Sequence, residues 1–450
     1  MRYFLSAFAA FFLTLGGSSR ADVIHYKAGV ASKVITPTGP LWMAGYGARD
    51  KPCETKQHDL WVKALAIEDN AGNVAVLLTS DLCGIPRQLA NDVTSDVAKK
   101  INLKREQIAL TCSHTHCGPV VDNNLIDMYP VTPEQKDKIK AYTKDLRGWM
   151  VDVIVQAYKN REPSQLSIGK GTARFAMNRR QPTEKGMING RNPEGPVDHD
   201  VPVMRINDVD GKLKAVVFGY ACHNTTLSFY EWCGDYAGFA QIEIEKKHPG
   251  ATALFWIGCG ADANPLPRGK VEIAEQYGKE LATAVEDVLK APTQALTAKI
   301  STSYQEIGLE LDAIPDKAKW TMDALSKATA VRNRAQRMLD LLENGKPIPT
   351  KYDYYPVQVW RFGDELTWVT LGGEVVIDYN LRLKKELPGR KSLWITGYAN
   401  DVLAYIPSER VLKEGGYEAD SSMTYYGFPT KWAPGLEDKI IKTVVDLTKK

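Results

Sequence analysis

The chain has 450 residues, 44% hydrophobic and 25% charged, and its 57 basic against 54 acidic residues leave a formal net charge of +3. These are ordinary globular values, and without a basic block they exclude an electrostatic footprint for nucleic acid. Length alone admits two or three domains, or one large enzyme domain with insertions.

The N-terminus reads as an export signal. Arg2 supplies a positive start, residues 3–15 form a short apolar run, and Ser19 and Ala21 stand at the −3 and −1 spacing of a signal-peptidase site. The run is too short for a comfortable membrane span; an uncleaved anchor is the alternative. Cleavage after residue 21 removes Arg2 and Arg20, takes the net charge from +3 to +1, and leaves a secreted or periplasmic chain with no transmembrane segment and no strong electrostatic partner. Seven cysteines follow: Cys53, Cys83, Cys112, Cys117, Cys222, Cys233 and Cys259. An exported protein can form disulfides, but an odd count leaves at least one thiol unpaired. No Cys-x-x-Cys pair is present, which speaks against a cysteine-based zinc ribbon.

Residues 61–67 and 74–80 read as two strands joined by a turn at 69–73. Residues 87–101 have helical character, 107–112 form a short apolar strand, and 138–159 an amphipathic helix. The polar stretch 177–200, rich in Asn, Arg, Pro and Gly, reads as a long loop of the kind that often carries function. A strand at 215–222, a helix at 238–247 and a strand at 251–257 come next. Residues 316–344 are a long helical stretch that admits a break. Residues 366–371 read as a strand, 375–386 as a helix, 392–396 as a strand and 436–448 as a closing helix. Alternating strands and helices predict an α/β or mixed α+β core, a mixed sheet flanked by helices. No repeat or low-complexity tract is present, and no run of short strands after the last helix predicts an appended β-sandwich.

Histidine is scarce, seven residues in 450. Two lie in the motif Thr111-Cys112-Ser113-His114-Thr115-His116-Cys117-Gly118-Pro119, directly after an apolar strand. Positions i and i+2 of extended backbone project to one side, so His114 and His116 are expected to face one site. His223 ends another apolar strand and leads into Asn224-Thr225-Thr226. Glu374 follows the strand at 366–371 across Gly372-Gly373 and is read as opening a helix; Tyr405 lies beyond the strand at 392–396. Ligands of open α/β sheets bind beyond the carboxyl ends of strands, so these residues share a site if their strands are neighbours. Neutral imidazoles with a carboxylate suit catalytic zinc, which keeps an open position for water and brings its pKa to about 7. Each residue alone also has a plainer reading: a hydrogen-bonded histidine at a strand end, a carboxylate favoured by a helix N-terminus, a packed tyrosine.

The motif at 111–119 resembles the Thr-His-Thr-His-Ser-Gly-Pro type signature of the neutral/alkaline non-lysosomal ceramidases. Ala28-Gly29-Val30-Ala31, Val34-Ile35-Thr36-Pro37 and Met43-Ala44-Gly45-Tyr46 look like that family's opening strand and loop. His58 with Leu60-Trp61-Val62-Lys63-Ala64 is similar to its next histidine-led strand, and Asn178-Arg179 resembles a substrate-side pair. The resemblance implies one zinc per chain held by His114, His223, Glu374 (in Gly373-Glu374-Val375) and Tyr405. It implies His116 as the acid/base, Tyr417 of Tyr417-Glu418-Ala419 as donor to an oxyanion, and Arg179 as a hold on the substrate's polar end. The implied activity is zinc-dependent hydrolysis of an N-acyl amide, ceramide or a related N-acyl lipid first, by a single catalytic domain spanning 22–450.

The sequence also departs from the family pattern. Where the family carries Asp-x-Ser-Pro, this chain has Asp262-Ala263-Asn264-Pro265. Asn264 cannot act as a nucleophile, though its amide can hydrogen-bond a substrate; a plain turn is the other reading. The family's C-terminal β-sandwich is missing from the pattern, and the polar stretch 178–199 is expected to reshape the substrate entrance. Two rivals stand beside the lipid amidase: an amidase for polar amides such as acylated amino sugars or peptides, and a non-catalytic lipid- or carbohydrate-binding protein. Retention of the whole implied ligand set weighs against the second.

Overall fold

The computed structural model describes residues 26–390 and 392–449; the expected signal segment at 1–21 lies outside them. The main sheet follows the order Thr252–Ile257, Leu213–Tyr220, Asp200–Asp208, Glu162–Thr172, Tyr26–Val34, Trp61–Asp69, Val74–Ser80, Ile108–Cys112. Its inner pairings are antiparallel, and the outermost pair at each end is parallel. Val74–Ser80 is buried at every position, as a strand covered on both faces must be. Trp61–Asp69 shows the two faces. Val62, Ala64 and Ala66 join the core under the helices Arg87–Ile101 and Pro133–Lys159, whereas Leu65 and Ile67 face a second sheet.

That second sheet runs Ile300–Glu310, Lys351–Phe362, Leu366–Leu371, Leu393–Thr396. Trp360, Trp368 and Trp394 from it meet Trp256 of the first sheet in the core between them. Its outer face, with Val357, Val359 and Val369, packs on Ile440 and Val444 of the closing helix Leu436–Leu447. The layers are therefore helix, sheet, sheet, helix. This is the mixed α/β architecture expected, with two sheets where the periodicity suggested one. No helix among the described residues is long and apolar enough to cross a membrane, and all seven cysteines are buried and unpaired.

Several boundaries differ from expectation for identifiable reasons. The second helix begins at Pro133 because Thr132 and Gln135 cap each other reciprocally and proline suits the first helical position. The stretch at 316–344 is broken into Lys317–Asp323 and Thr329–Glu343. The expected long loop at 177–200 is instead mostly an antiparallel hairpin, Ala176–Thr183 with Gly186–Asn192, paired on its other side with Ala263–Pro265. The hairpin lacks apolar alternation because its buried positions Asn178, Arg179 and Arg180 meet polar partners. The helix expected from 375 begins at Asp378, and Glu374 does not open it. Glu374–Val375 pairs in parallel with Tyr405–Ile406, Glu374 directly opposite Tyr405.

One short segment brings the strand ends together. Gly397 N donates to Ile257 O at 3.1 Å and Asn400 N donates to Leu110 O at 2.7 Å, so residues 397–400 bridge the two edge strands of the main sheet. Asn400 Oδ1 in turn accepts from Leu110 N at 3.1 Å. The loops after Ile108–Cys112, Leu213–Tyr220, Thr252–Ile257 and Leu366–Leu371 thereby open on one place.

Candidate metal centre

His114 and His116 leave the strand Ile108–Cys112 through a turn. His114 takes the left-handed conformation, φ 58°, which is uncommon for a side chain of its size. The pair does face one site, but through this turn rather than through an extended pleat. Their ring centroids lie 4.7 Å apart and their Nε2 atoms 3.0 Å apart. The ring of His116 lies against Gly45, where an added Cβ would come within 2.3 Å of it; Gly45 itself has φ 97°, open to glycine. Tyr46 packs on the same ring at 4.7 Å, and Arg49 Nη2 donates to the His116 carbonyl at 2.8 Å.

Backbone carbonyls set the tautomers of two rings. His114 Nδ1 donates to Cys83 O at 2.6 Å, and His223 Nδ1 donates to Gly260 O at 2.9 Å. Both Nε2 lone pairs then point at one carboxylate oxygen, Glu374 Oε2, at 3.2 Å from His114 and 3.1 Å from His223. Tyr405 OH lies 3.2 Å from His223 Nε2, as the Glu374–Tyr405 register requires. His114, His223 and Glu374 are all buried. Burial, with Arg179 nearby, pushes His223 down to about 4, so its ring is neutral at physiological pH. The Nε2 atoms of His114 and His223 and one oxygen of Glu374 converge on one buried point, an arrangement of electron-pair donors that a cation between them would satisfy. Orientation of each ring by its other nitrogen is what metal-ligating histidines show. The donor set fits a cation of the zinc type.

Tyr398 and Tyr426 complete the surroundings of Glu374: Tyr398 OH donates to Oε2 at 3.4 Å and Tyr426 OH donates to Oε1. Neither was marked by the sequence, nor was Cys83, whose Sγ lies 3.8 Å from His114 Nδ1; a cluster of Cys83, His114 and His116 adjoins the first. His116 is held well below its ordinary value by burial and by the rings of His114 and His223, and its Nδ1 has no partner.

The remaining expected residues gather on one flank. Arg179 Nη2 donates to Tyr405 OH at 2.9 Å, its Nη1 donates to Asn264 Oδ1 at 3.2 Å, and its Nε donates to Glu418 Oε1 at 2.8 Å. Asn264 comes within reach because Ala263–Pro265 pairs with the hairpin strand that carries Arg179. Tyr417 stands beside Tyr405 at 5.2 Å between ring centroids, with the Arg179 guanidinium carbon 5.6 Å from each ring. All eight residues expected of the site thus lie in one network. A separate cavity of about 460 Å³ opens beside Trp256, Trp394, Asp198 and Lys384; none of the eight lines it.

These features define an α/β protein with a buried candidate metal centre of two histidines, a glutamate and a tyrosine at its strand ends. The sequence model of the family described as neutral/alkaline non-lysosomal ceramidase, N-terminal, matches residues 26–265, more than half of the chain. The chain belongs to this family. Neutral ceramidase B of Dictyostelium discoideum is 25% identical over 231 residues, 46% of this chain and 31% of that protein; the chain therefore spans under a third of this curated relative. Two solved structures share the fold at 17% identity, each covering 94% of this chain and 74% of its own. They are a ceramidase complexed with C2, at a TM-score of 0.74, and a neutral ceramidase from Pseudomonas aeruginosa, at 0.72.

Proposed function

We propose that the chain is a zinc-dependent amidohydrolase that cleaves an N-acyl bond with activated water, that ceramide or a related N-acyl lipid is its substrate, and that the segment at 1–21 exports it. The observation that carries this reading is the convergence of His114 Nε2 and His223 Nε2 on Glu374 Oε2 beside Tyr405 OH. Family membership supports amide hydrolysis, and the named relatives support ceramide first. His114, His223, Glu374 and Tyr405 would hold the zinc, which would supply the charge to polarise an acyl carbonyl and acidify water.

The chain's own residues account for the remaining steps. His116 Nε2 takes the proton from the attacking water and returns one to the leaving nitrogen. The Tyr417 hydroxyl donates to the carbonyl oxygen as it gains negative charge. Arg179 fixes Tyr405 and steadies Asn264, whose Nδ2 is the donor it can offer a substrate carbonyl. With asparagine in place of serine no acyl-enzyme at this position is needed or possible. A polar N-acyl substrate is the second reading, favoured by the hairpin that brings Asn178, Arg179 and Arg180 beside the centre.

Metal analysis of the purified protein, with turnover on ceramide and on acylated amino sugars, tests the proposal. Wild type is expected to hold about one zinc per chain, lost in His223→Ala. His116→Ala should keep the metal while turnover falls by about 10²–10⁴-fold. A folded wild type that stays metal-free when zinc is supplied overturns the reading, and activity confined to the amino sugars selects the polar alternative.

A further inference from the structure

Beyond the matched residues 26–265, the helices Lys317–Asp323 and Thr329–Glu343 form a hairpin with a small core of their own, Trp320, Ala335 and Met338. Three side chains of the second helix brace the hairpin against the loops beside the centre. Asn333 Nδ2 donates to Asp127 O at 3.1 Å, Arg334 Nη1 donates to Thr424 Oγ1 at 2.9 Å, and Arg337 Nη2 donates to Gly427 O at 2.6 Å. Thr424 and Gly427 bracket Tyr426, the tyrosine on Glu374. The hairpin is thus tied to the segment that supports the candidate metal ligands.

Among the described residues, the first helix and the turn after it leave two apolar side chains uncovered. Met322 is 71% exposed and Leu325 84%, the two most exposed large apolar side chains among the described residues. Leu325 N donates to Met322 O at 3.1 Å, which continues the helical turn past Asp323 and sets the two side chains on one face at i and i+3 spacing. Trp320, on the other face, is buried. Exposed lysines Lys317, Lys319 and Lys327 flank the pair along the chain, Lys319 paired with Asp323. Over the whole hairpin, residues 316–343, six cations stand against four carboxylates, a net charge of +2, and with Arg334 and Arg337 turned toward Thr424 and Gly427 the exposed positive charge of the tip is that of its lysines. An apolar tip flanked by lysines matches the chemistry of an anionic lipid surface, where apolar side chains enter the headgroup boundary and cations pair with the surface charge.

We propose that this hairpin docks the protein on anionic bilayers, with Met322 and Leu325 inserted and the lysines at the headgroups. Such docking would present the centre to substrate held in a membrane; its purpose rests on the lipid reading of the site, but binding is measured without turnover. Full-length protein is spun down with phosphatidylcholine vesicles, with and without phosphatidylserine, none containing ceramide. Wild type is expected on the serine-containing vesicles, and the double variant Met322→Gln/Leu325→Gln to bind them about tenfold more weakly or worse. Lys317→Gln/Lys327→Gln should lose the preference for phosphatidylserine. Each variant is compared with wild type in thermal melting and zinc content, which these exposed positions should leave unchanged. Wild type that ignores vesicles, or a double variant that binds as wild type does, overturns the docking proposal, whatever the protein hydrolyses. Hydrolysis of a soluble short-chain N-acyl substrate is read alongside: its absence with docking intact defeats the hydrolase reading alone.

Discussion

Glu374 offers both of its oxygens to partners. Oε2 faces the two imidazoles, while Oε1 accepts from Tyr426. A carboxylate held this way presents one oxygen to a cation, and the hydrogen bond on the other fixes its angle and tempers its charge. Partners of this outer kind typically set metal affinity by about 10–100-fold. Tyr426→Phe is therefore expected to weaken zinc binding by about that factor without unfolding the chain, as read by competition with a chromophoric chelator. Equal affinity in the variant would show that Tyr426 is packing alone. The histidines were legible because they are few and follow apolar strands, whereas Glu374 read alone as a carboxylate opening a helix and was marked as a ligand only through the family resemblance. Tyr426 carried no such mark. It sits in Tyr425-Tyr426-Gly427, a turn with no periodicity, and only the fold brings it to Glu374.

The same limit governs the elements. Strands buried on both faces announce themselves as apolar runs, so Val74–Ser80 and Leu366–Leu371 were readable to the residue. The hairpin Ala176–Thr183 with Gly186–Asn192 was not, because charge and not apolar surface holds it. Arg179 Nε and Arg180 Nη1 grip the two oxygens of Glu418 at 2.8 and 2.7 Å, and Arg180 Nη2 adds Glu414 at 3.0 Å. Arg179, Arg180 and Glu418 are buried, so the hairpin and the segment carrying Tyr417 are joined through ions that water does not screen. Glu418→Gln should leave two buried guanidinium groups short of a counter-charge and cost about 3–5 kcal/mol in urea unfolding. At temperatures where the variant remains folded, zinc content is expected to hold while kcat falls, since Tyr417 loses its anchor. A variant as stable and as active as wild type would show the clamp to be incidental. A simple loss of stability with unchanged kcat would confine the clamp to the fold.

At the scale of the molecule, the two sheets and the helix Arg87–Ile101 meet at one buried carboxyl. Asp401 Oδ1 accepts from Arg87 N at the start of that helix, at 3.1 Å, and Oδ2 accepts from Tyr352 OH of the second sheet. Residues 397–400, just before it, bridge the edges of the first sheet. Burial raises Asp401 to about 7, against the lowering effect of Tyr352, the Arg87 backbone and the Arg87 guanidinium; Glu306 adds to the rise. In the unfolded chain the group titrates near about 3.9. A carboxyl raised on folding binds its proton more tightly in the native state. Its contribution is therefore fully present below about pH 4 and is lost as the pH climbs through about 7. Asp262 and Asp235, raised by burial to about 7 and about 6, act in the same direction, so the wild-type curve alone cannot isolate one group. Asp401→Asn can. Its amide oxygen still accepts from Arg87 N, but nothing at the position titrates. Between pH 4 and pH 8, wild type should lose stability relative to Asp401→Asn by an amount on the order of a few kcal/mol, measured as the difference between their urea-unfolding free energies at each pH. Parallel curves would mean that Asp401 is ionised in the native state throughout, and that the junction of the two sheets holds a charge rather than a neutral acid.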